Sequence, residues 1–293
     1  MPQSLRAGLP VGRCLVLSLA LGLAPVHTLA QPLADQKPAQ GVPPTIAIII
    51  DDMGHDLTQG QRLVALEQPL TLAFLPYRRH TTALAEAAHR HNKEIMLHAP
   101  MANTRHFGLG PGGLDITMDE TSTASTLRRA LASIPHVRGV NNHMGSQLTQ
   151  MRNHMNWVMS ELVNYPVYFV DSRTIATSIA GDTAAAYQIP TLTRDVFLDH
   201  EQTEEYVDRQ FKLLIEKARE NGSAIGIGHP HKVTVDYLAK VLPTLDEQGI
   251  AVATVSALWT LRNNNLEMFA DRDRLRQVQA ALAKRKQEPE AAR

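Results

Sequence analysis

The chain has 293 residues, with 29 Lys and Arg against 29 Asp and Glu, 13 His and a single Cys. A formal charge of zero excludes the broad basic surface that nonspecific nucleic-acid binding needs, so no nucleic-acid partner is expected. Hydrophobic content of 44% with charged content of 20% excludes a disordered chain, and thirteen histidines beside one cysteine direct any metal to imidazole and carboxylate ligands.

Residues 1–30 read as a secretory signal: Arg6 and Arg13 precede or border a short apolar run from Cys14 to Ala24, and Thr28 and Ala30 supply small residues before a cleavage point. The run is shorter than the ~20 residues a spanning helix needs, and no other segment is long and apolar enough. A periplasmic protein with no stable membrane span after cleavage is therefore expected. Cleavage removes two Arg and no acid, leaving a slightly acidic chain, and it removes Cys14, so stability cannot rest on disulfides. Residues 31–44, rich in Pro, Gln and Ala, read as a flexible leader. A folded domain is expected over residues 45–260, followed by a charged helical or disordered tail over residues 261–293.

The folded region opens with the β-branched run 46–50, of the kind found in a doubly covered parallel strand. Further short apolar runs lie at 70–75, 94–97, 137–140, 167–170, 191–196, 224–227 and 250–255. Helical periodicity separates many of them, at 58–66, 82–91, 122–134, 151–164, 204–221 and 235–248, with Gly222 and Gly249 placed as C-terminal caps. This alternation implies a parallel sheet, either doubly wound or closed, and seven or eight strands within ~220 residues favour a (β/α) barrel.

In either architecture ligands bind at the carboxyl ends of the strands. Six of those ends carry Asp, His or Arg: Asp51-Asp52, His98, Asn141-Asn142-His143 with Ser146, Asp171 with Arg173, Arg194-Asp195 with Asp199 and His200 beyond, and His229-Pro230-His231. Adjacent buried carboxylates repel and lose hydration, and a divalent cation bound by one of them compensates. A helix cap with a solvated neighbour also explains Asp51-Asp52 taken alone, and a hydrogen-bonded core imidazole explains His98. One Asp with two His makes an open three-ligand set that leaves room for water. His80, His89, His91 and His154 fall on amphipathic stretches or loop starts and are expected to be solvated. No Gly-x-Ser-x-Gly elbow is present, which disfavours a serine hydrolase.

The segments Ile48 to Gly54, His98 to Met101, Asn141 to Ser146, Asp171 to Thr174 and Gly226 to His231, in this order, resemble the divergent polysaccharide deacetylase family, a remote branch of the chitooligosaccharide deacetylase-like superfamily. The resemblance spans about Thr45 to Trp259. It implies an α/β fold, a distorted (β/α) barrel of about seven strands, with a divalent metal, usually zinc, at its mouth. Carried over by motif, Asp51 is the catalytic base and Asp52 a metal ligand. His98 matches the first residue of the better-known His-x3-His metal pair, but Ala102 stands where the second is expected, so His143 is the candidate for that ligand. His229 or His231 fills the general-acid position, and Arg173 or Arg194 matches the arginine that orients the base. Asn142, Ser146, Asp171, Arg194 and Asp195 are the candidate substrate-binding residues.

The activity implied is removal of N-acetyl groups from a glycan or peptidoglycan-related substrate by metal-activated water. The missing second histidine leaves room for a non-catalytic carbohydrate-binding or cell-envelope regulatory protein on the same barrel. A non-glycan amide is a third possibility, since one fold hosts many substrates.

Overall fold

In the computed structural model, which describes residues 43–263, the β-branched run becomes the centre of β1 (Thr45–Met53), buried along almost its whole length. Strands and helices then alternate: α1 (Leu57–Ala65), β2 (Thr71–Phe74), α2 (Thr81–Arg90), β3 (Glu94–Met101), α3 (Glu120–Ala132), β4 (Val137–Met144), α4 (Arg152–Leu162), β5 (Tyr168–Asp171), α5 (Ala180–Ala186), β6 (Thr191–Thr193), β7 (Val196–Phe197), α6 (Glu204–Asn221), β8 (Ser223–Gly228), α7 (Lys232–Val241), β9 (Ala251–Ala253) and α8 (Val255–Asn263). The expected signal, the leader as far as residue 42 and the tail from residue 264 lie outside the described residues.

Every strand ladder is parallel, and the strands follow the order β6-β5-β4-β3-β2-β1-β8-β7. β9 pairs with the first residues of β1, whose later residues on that edge pair with β2. The result is a curled, distorted (β/α) barrel of nine strands, where about seven were expected. The run 191–196, read as one strand, is broken at Arg194-Asp195. Arg194 N donates to Asp171 O on the β5 side, and Asp195 N donates to Ile225 O on the β8 side, so the chain crosses from one margin of the curl to the other. Among the described residues no ladder joins β6 to β7, and the barrel stays open there.

The two-residue alternation of strands sorts the core into two layers. Ile46, Ile48 and Ile50 of β1 pack with Leu63, Leu84, Met155, Phe211 and Leu238 from the helices. Ala47 and Ile49 face the other way and meet Ala73, Met96, Tyr168, Val170, Ile225 and Ile227 inside the barrel. Val255 and Leu258 of α8 join this inner layer and close the end at which the strands begin. The buried Glu94 fixes that closure: its carboxylate accepts from Thr71 Oγ1 (3.0 Å), Tyr168 OH (2.7 Å), Ser256 N (3.2 Å) and Ser256 Oγ. A carboxylate at the first turn of α8 also matches the helix dipole. The opposite end, where the strands finish, remains the mouth.

Local sequence sets most helix ends. Asp56, Asp119 and Thr203 accept from backbone N–H groups of the first turns of α1, α3 and α6, and Gly222 ends α6 in the left-handed region (φ 80°). α7 stops at Val241 instead of running to residue 248. Pro243 lacks the N–H that would continue the ladder, and two short 3₁₀ turns carry the chain to Gly249. α5, with seven residues, is too short for its periodicity to be read. His154 is buried, not solvated, with Nε2 against Ile116 O at 3.0 Å.

Gly139 of β4 faces the barrel interior, where a Cβ would stand 2.3 Å from two ring carbons of Tyr168. Tyr168 cannot withdraw without breaking its bond to Glu94. Gly139→Ala is expected to cost about 1–3 kcal/mol, which lowers Tm by roughly 2–4 °C per kcal/mol. Gly108→Ala, which meets nothing within 4 Å, should leave thermal unfolding unchanged and serves as the control.

Candidate functional site

The alternation that buries Ala47 and Ile49 inside the barrel brings Asp51 to the same inner face at the end of β1. Pairing with β2 jumps from Ile50 opposite Leu72 to Met53 opposite Phe74, so β1 carries one extra residue here. This bulge, with Asp52 in the left-handed region (φ 55°), turns two consecutive carboxylates toward one mouth. On β3 and β4 the register sets His98 beside Asn141 and Pro100 beside His143, placing a second pair of polar side chains on the facing wall.

Asp52 Oδ1, His98 Nε2 and His143 Nδ1 converge. Asp52 Oδ1 is 3.4 Å from His98 Nε2 and 3.0 Å from His143 Nδ1, and the two nitrogens are 3.0 Å apart. Two ligands of a tetrahedral zinc, each about 2.0–2.1 Å from the ion, stand roughly 3.3 Å from each other, so the spacing suits a divalent cation. Asp52 Oδ1 is buried and makes no hydrogen bond of acceptable geometry. Lone pairs turned on one point repel unless a proton or a cation lies among them, and the donor set therefore fits a metal. Burial pushes Asp52 upward, but the close approach and charge of His143 and His98 outweigh it and hold the carboxyl far below its ordinary range.

Asp51 is 3% exposed, and Asn141 Nδ2 donates to its Oδ1 at 2.7 Å. Burial raises its pKa above the ordinary carboxylate value, and the charges of His98 and His229 with the Asn141 bond offset only part of that rise. His98, 2% exposed, is pulled down by burial and lifted further by Asp51 and Asp52, for a net rise. The same negative field that favours a proton on His98 favours a cation beside it.

Opposite this wall, His229 follows β8, and its Nδ1 lies 2.9 Å from Asp199 Oδ1. Asp199 Oδ2 accepts from His229 N (2.6 Å) and Thr234 Oγ1 (2.8 Å), so the carboxylate is fixed on three sides. Burial lowers His229, but the hydrogen bond and charge of Asp199, helped by Asp51 and Asp52, lift it to about 9. A cleft of about 210 Å³ is lined by Asp51, His98, His143, Asp199 and His229, with Met144 and Phe197 as apolar wall. Asn142, Ser172, Thr174 and His200 complete the lining.

The remaining candidate residues separate clearly. Asn142 lines the cleft, but its amide braces the loops, accepting from Ser172 N and donating to Met144 O. Ser146 lies on the rim with its hydroxyl against Thr104. His231 stands outside the cleft lining, beside Gln202. Asp171 points away from the mouth and accepts from Arg173 N, Ser178 Oγ and Gly181 N, which shapes the β5–α5 loop. Asp195 accepts from Ile225 N within β8 and pairs with Arg262 at 3.7 Å, also away from the mouth.

Neither arginine bonds to Asp51. Arg173 donates to Ala176 O, and Arg194 donates to the carbonyls of Ser172 and Arg173 while its guanidinium lies 3.7 Å over the Phe197 ring. The position beside Asp51 belongs to Asn141. Ala102, where a second histidine was sought, is buried in the outer core with the helices. Asn141 and Asp199 are site residues that the sequence places at strand ends without marking a role for either. Asn141 stood within a quoted segment but carries no charge to mark it. Asp199 follows a strand of two residues, too short to read.

A family model described as divergent polysaccharide deacetylase matches residues 48–259. The Escherichia coli (strain K12) protein YibQ is 35% identical over 213 residues, which cover 73% of this chain and 67% of that one. A Haemophilus influenzae protein is 33% identical over 214 residues, 73% of this chain and 76% of its own. Among solved structures, ATU2773 from Agrobacterium tumefaciens C58 superposes with a TM-score of 0.72 at 26% identity, covering 75% of this chain and 91% of that chain. All three are described as uncharacterized.

Purified protein is expected to bind one equivalent of zinc, and Asp52→Asn or His143→Ala to lose it while remaining folded. Elemental analysis after dialysis, beside circular dichroism, makes the check. Stoichiometric zinc in His143→Ala would remove His143 from the ligand set.

Proposed function

The chain belongs to the divergent polysaccharide deacetylase family, and from that premise we propose that it is a metal-dependent hydrolase that removes acetyl groups from an N-acetylated glycan. The observation that carries this reading is the presence, at one small cleft, of a three-donor cation cradle whose two histidines line it, a buried carboxylate and a carboxylate-backed imidazole. Asp52, His98 and His143 would hold the cation, and a set of one oxygen and two nitrogen donors suits zinc. When bound, such a cation supplies Lewis acidity, which polarises an amide carbonyl and lowers the pKa of water towards ~7.

The chain's own groups handle the protons. Asp51, held at Oδ1 by Asn141, accepts a proton from the attacking water, and its burial makes it a better base than an exposed carboxylate. His229, kept protonated by Asp199, faces it across the cleft and donates to the amide nitrogen as the C–N bond breaks. Acetate and a free amine result. Met144 and Phe197 offer an apolar wall against which an acetyl methyl can rest. Of the two histidines in the turn after β8, His229 takes the acid role because it lines the cleft and has the carboxylate behind it. The export signal read in residues 1–30 supports a periplasmic location and hence a peptidoglycan-related glycan.

Acetate release from N-acetylglucosamine oligomers tests the reading. Asp51→Asn should retain zinc and lose about 10²–10⁴-fold in kcat. Full activity in Asp51→Asn would overturn the mechanism. The pH profile carries a second expectation. His229 must be protonated to donate, so activity persists below about 9 and falls as pH rises through it. Asp199→Asn removes the charge that does most to lift His229, leaving only Asp51 and Asp52, so this basic limb should move down toward the ordinary histidine range of ~6.5. An unmoved limb would exclude His229 as the acid.

A further inference from the structure

Asn141 lies on the inner face of β4 and is fully buried. Its carboxamide touches both halves of the site: Nδ2 is 2.7 Å from Asp51 Oδ1 and 3.3 Å from Ser172 Oγ, and Oδ1 is 2.7 Å from His98 Nδ1. His98 is its register neighbour on β3, but Asp51 lies across the sheet on β1, with β2 between them. The inner apolar cluster beneath them includes Ala73 of β2, the register partner of Met96 on β3. The amide therefore reaches through the barrel interior to a strand three positions away in the sheet.

The donor and acceptor pattern has one consistent assignment. An ionised Asp51 can only accept, so the NH₂ end of Asn141 faces it and the carbonyl end faces His98. His98 must then carry its proton on Nδ1, which leaves the Nε2 lone pair for the point shared with Asp52 and His143. Reversing the amide would set its oxygen against the carboxylate oxygen of Asp51 and its NH₂ against His98 Nδ1, driving the ring proton to Nε2, where it would occupy the point shared with Asp52 and His143. Ligand imidazoles commonly have such a partner on the other ring nitrogen, which fixes the tautomer and ring direction. Here the same partner also fixes the proton acceptor.

We infer that Asn141 is a positioning residue that couples the two functions of the cleft, locking His98 in the tautomer that binds metal through Nε2 and aiming Asp51 through one shared carboxamide. The kinetic consequence rests on the deacetylase reading above; the tautomer and the metal affinity do not. Asn141→Leu keeps the branched shape of the side chain, with bulkier tips, and loses both bonds. Asn141→Asp keeps an acceptor for His98 but sets a second carboxylate against Asp51. The two variants therefore separate the roles.

Zinc affinity measured by competition with a chromogenic chelator should fall about 10–100-fold in Asn141→Leu and stay near wild type in Asn141→Asp. Turnover of N-acetylglucosamine oligomers should fall in both, in kcat with KM little changed. Long-range proton–nitrogen NMR of the zinc-loaded wild-type protein should show His98 protonated at Nδ1. Zinc affinity within threefold of wild type in Asn141→Leu, a His98 proton at Nε2, or full kcat in Asn141→Asp would each overturn the coupling. If the wild-type protein releases no acetate while the affinity and NMR results hold, the deacetylase reading fails and the coupling of His98 to Asn141 stands.

Discussion

Two adjacent carboxylates at the end of a buried strand dominate this molecule. A regular strand would send Asp51 inward and Asp52 toward the helices, where an ionised group among leucines would be far costlier than any packing defect. The bulge in β1 and the left-handed backbone at Asp52 keep both on the mouth side. Once there, they repel each other and lose water, and the rest of the site reads as compensation: His98 and His143 around Asp52, Asn141 and the charge of His229 around Asp51. A divalent cation held by Asp52, His98 and His143 would complete it, adding positive charge where one carboxylate oxygen is buried without a hydrogen bond.

The scaffold supports this arrangement by closing one end and leaving the other polar. Glu94, deep among apolar side chains, is satisfied by Thr71, Tyr168 and Ser256 and draws the start of α8 under the barrel. A buried carboxylate is tolerable when such partners surround it, whereas removing one of them would leave an uncompensated charge. The inner apolar layer, with Ala47, Ile49, Ala73, Met96 and Ile227, gives way toward the mouth to the polar side chains of the site. The candidate site is thus confined to the ends of β1, β3, β4 and β7 and the segments that follow β5, β7 and β8.

Much of this was legible in the sequence because strand alternation and strand-end placement are local rules. They identified the barrel, Asp51, Asp52, His98, His143 and His229 as residues sharing one face. What the rules do not carry is the direction of a side chain once the strand has ended. Arg173, Arg194 and Asp195 follow strands, yet their groups bond to loop and strand backbone, and Asp195 faces β8 where the barrel is open. Asp171, the last residue of β5, alternates with the inward Val170 and faces out to its own loop. Asn141 and Asp199 escaped for opposite reasons: one is neutral and lies within a strand, the other is charged but follows a strand of only two residues. The broken run at Arg194-Asp195 is likewise invisible from composition, since the break is made by backbone bonds to β5 on one side and β8 on the other.

The central claim is that a single cation is held by Asp52, His98 and His143, with Asp51 left free beside it. Anomalous diffraction at the zinc edge from crystals of the zinc-loaded protein tests this most directly. The account predicts one strong peak within bonding distance of Asp52 Oδ1, His98 Nε2 and His143 Nδ1, with no bond to Asp51. A peak that instead lies among Asp199, His229 and His231, or a zinc-loaded crystal with no peak at the first position, would contradict it.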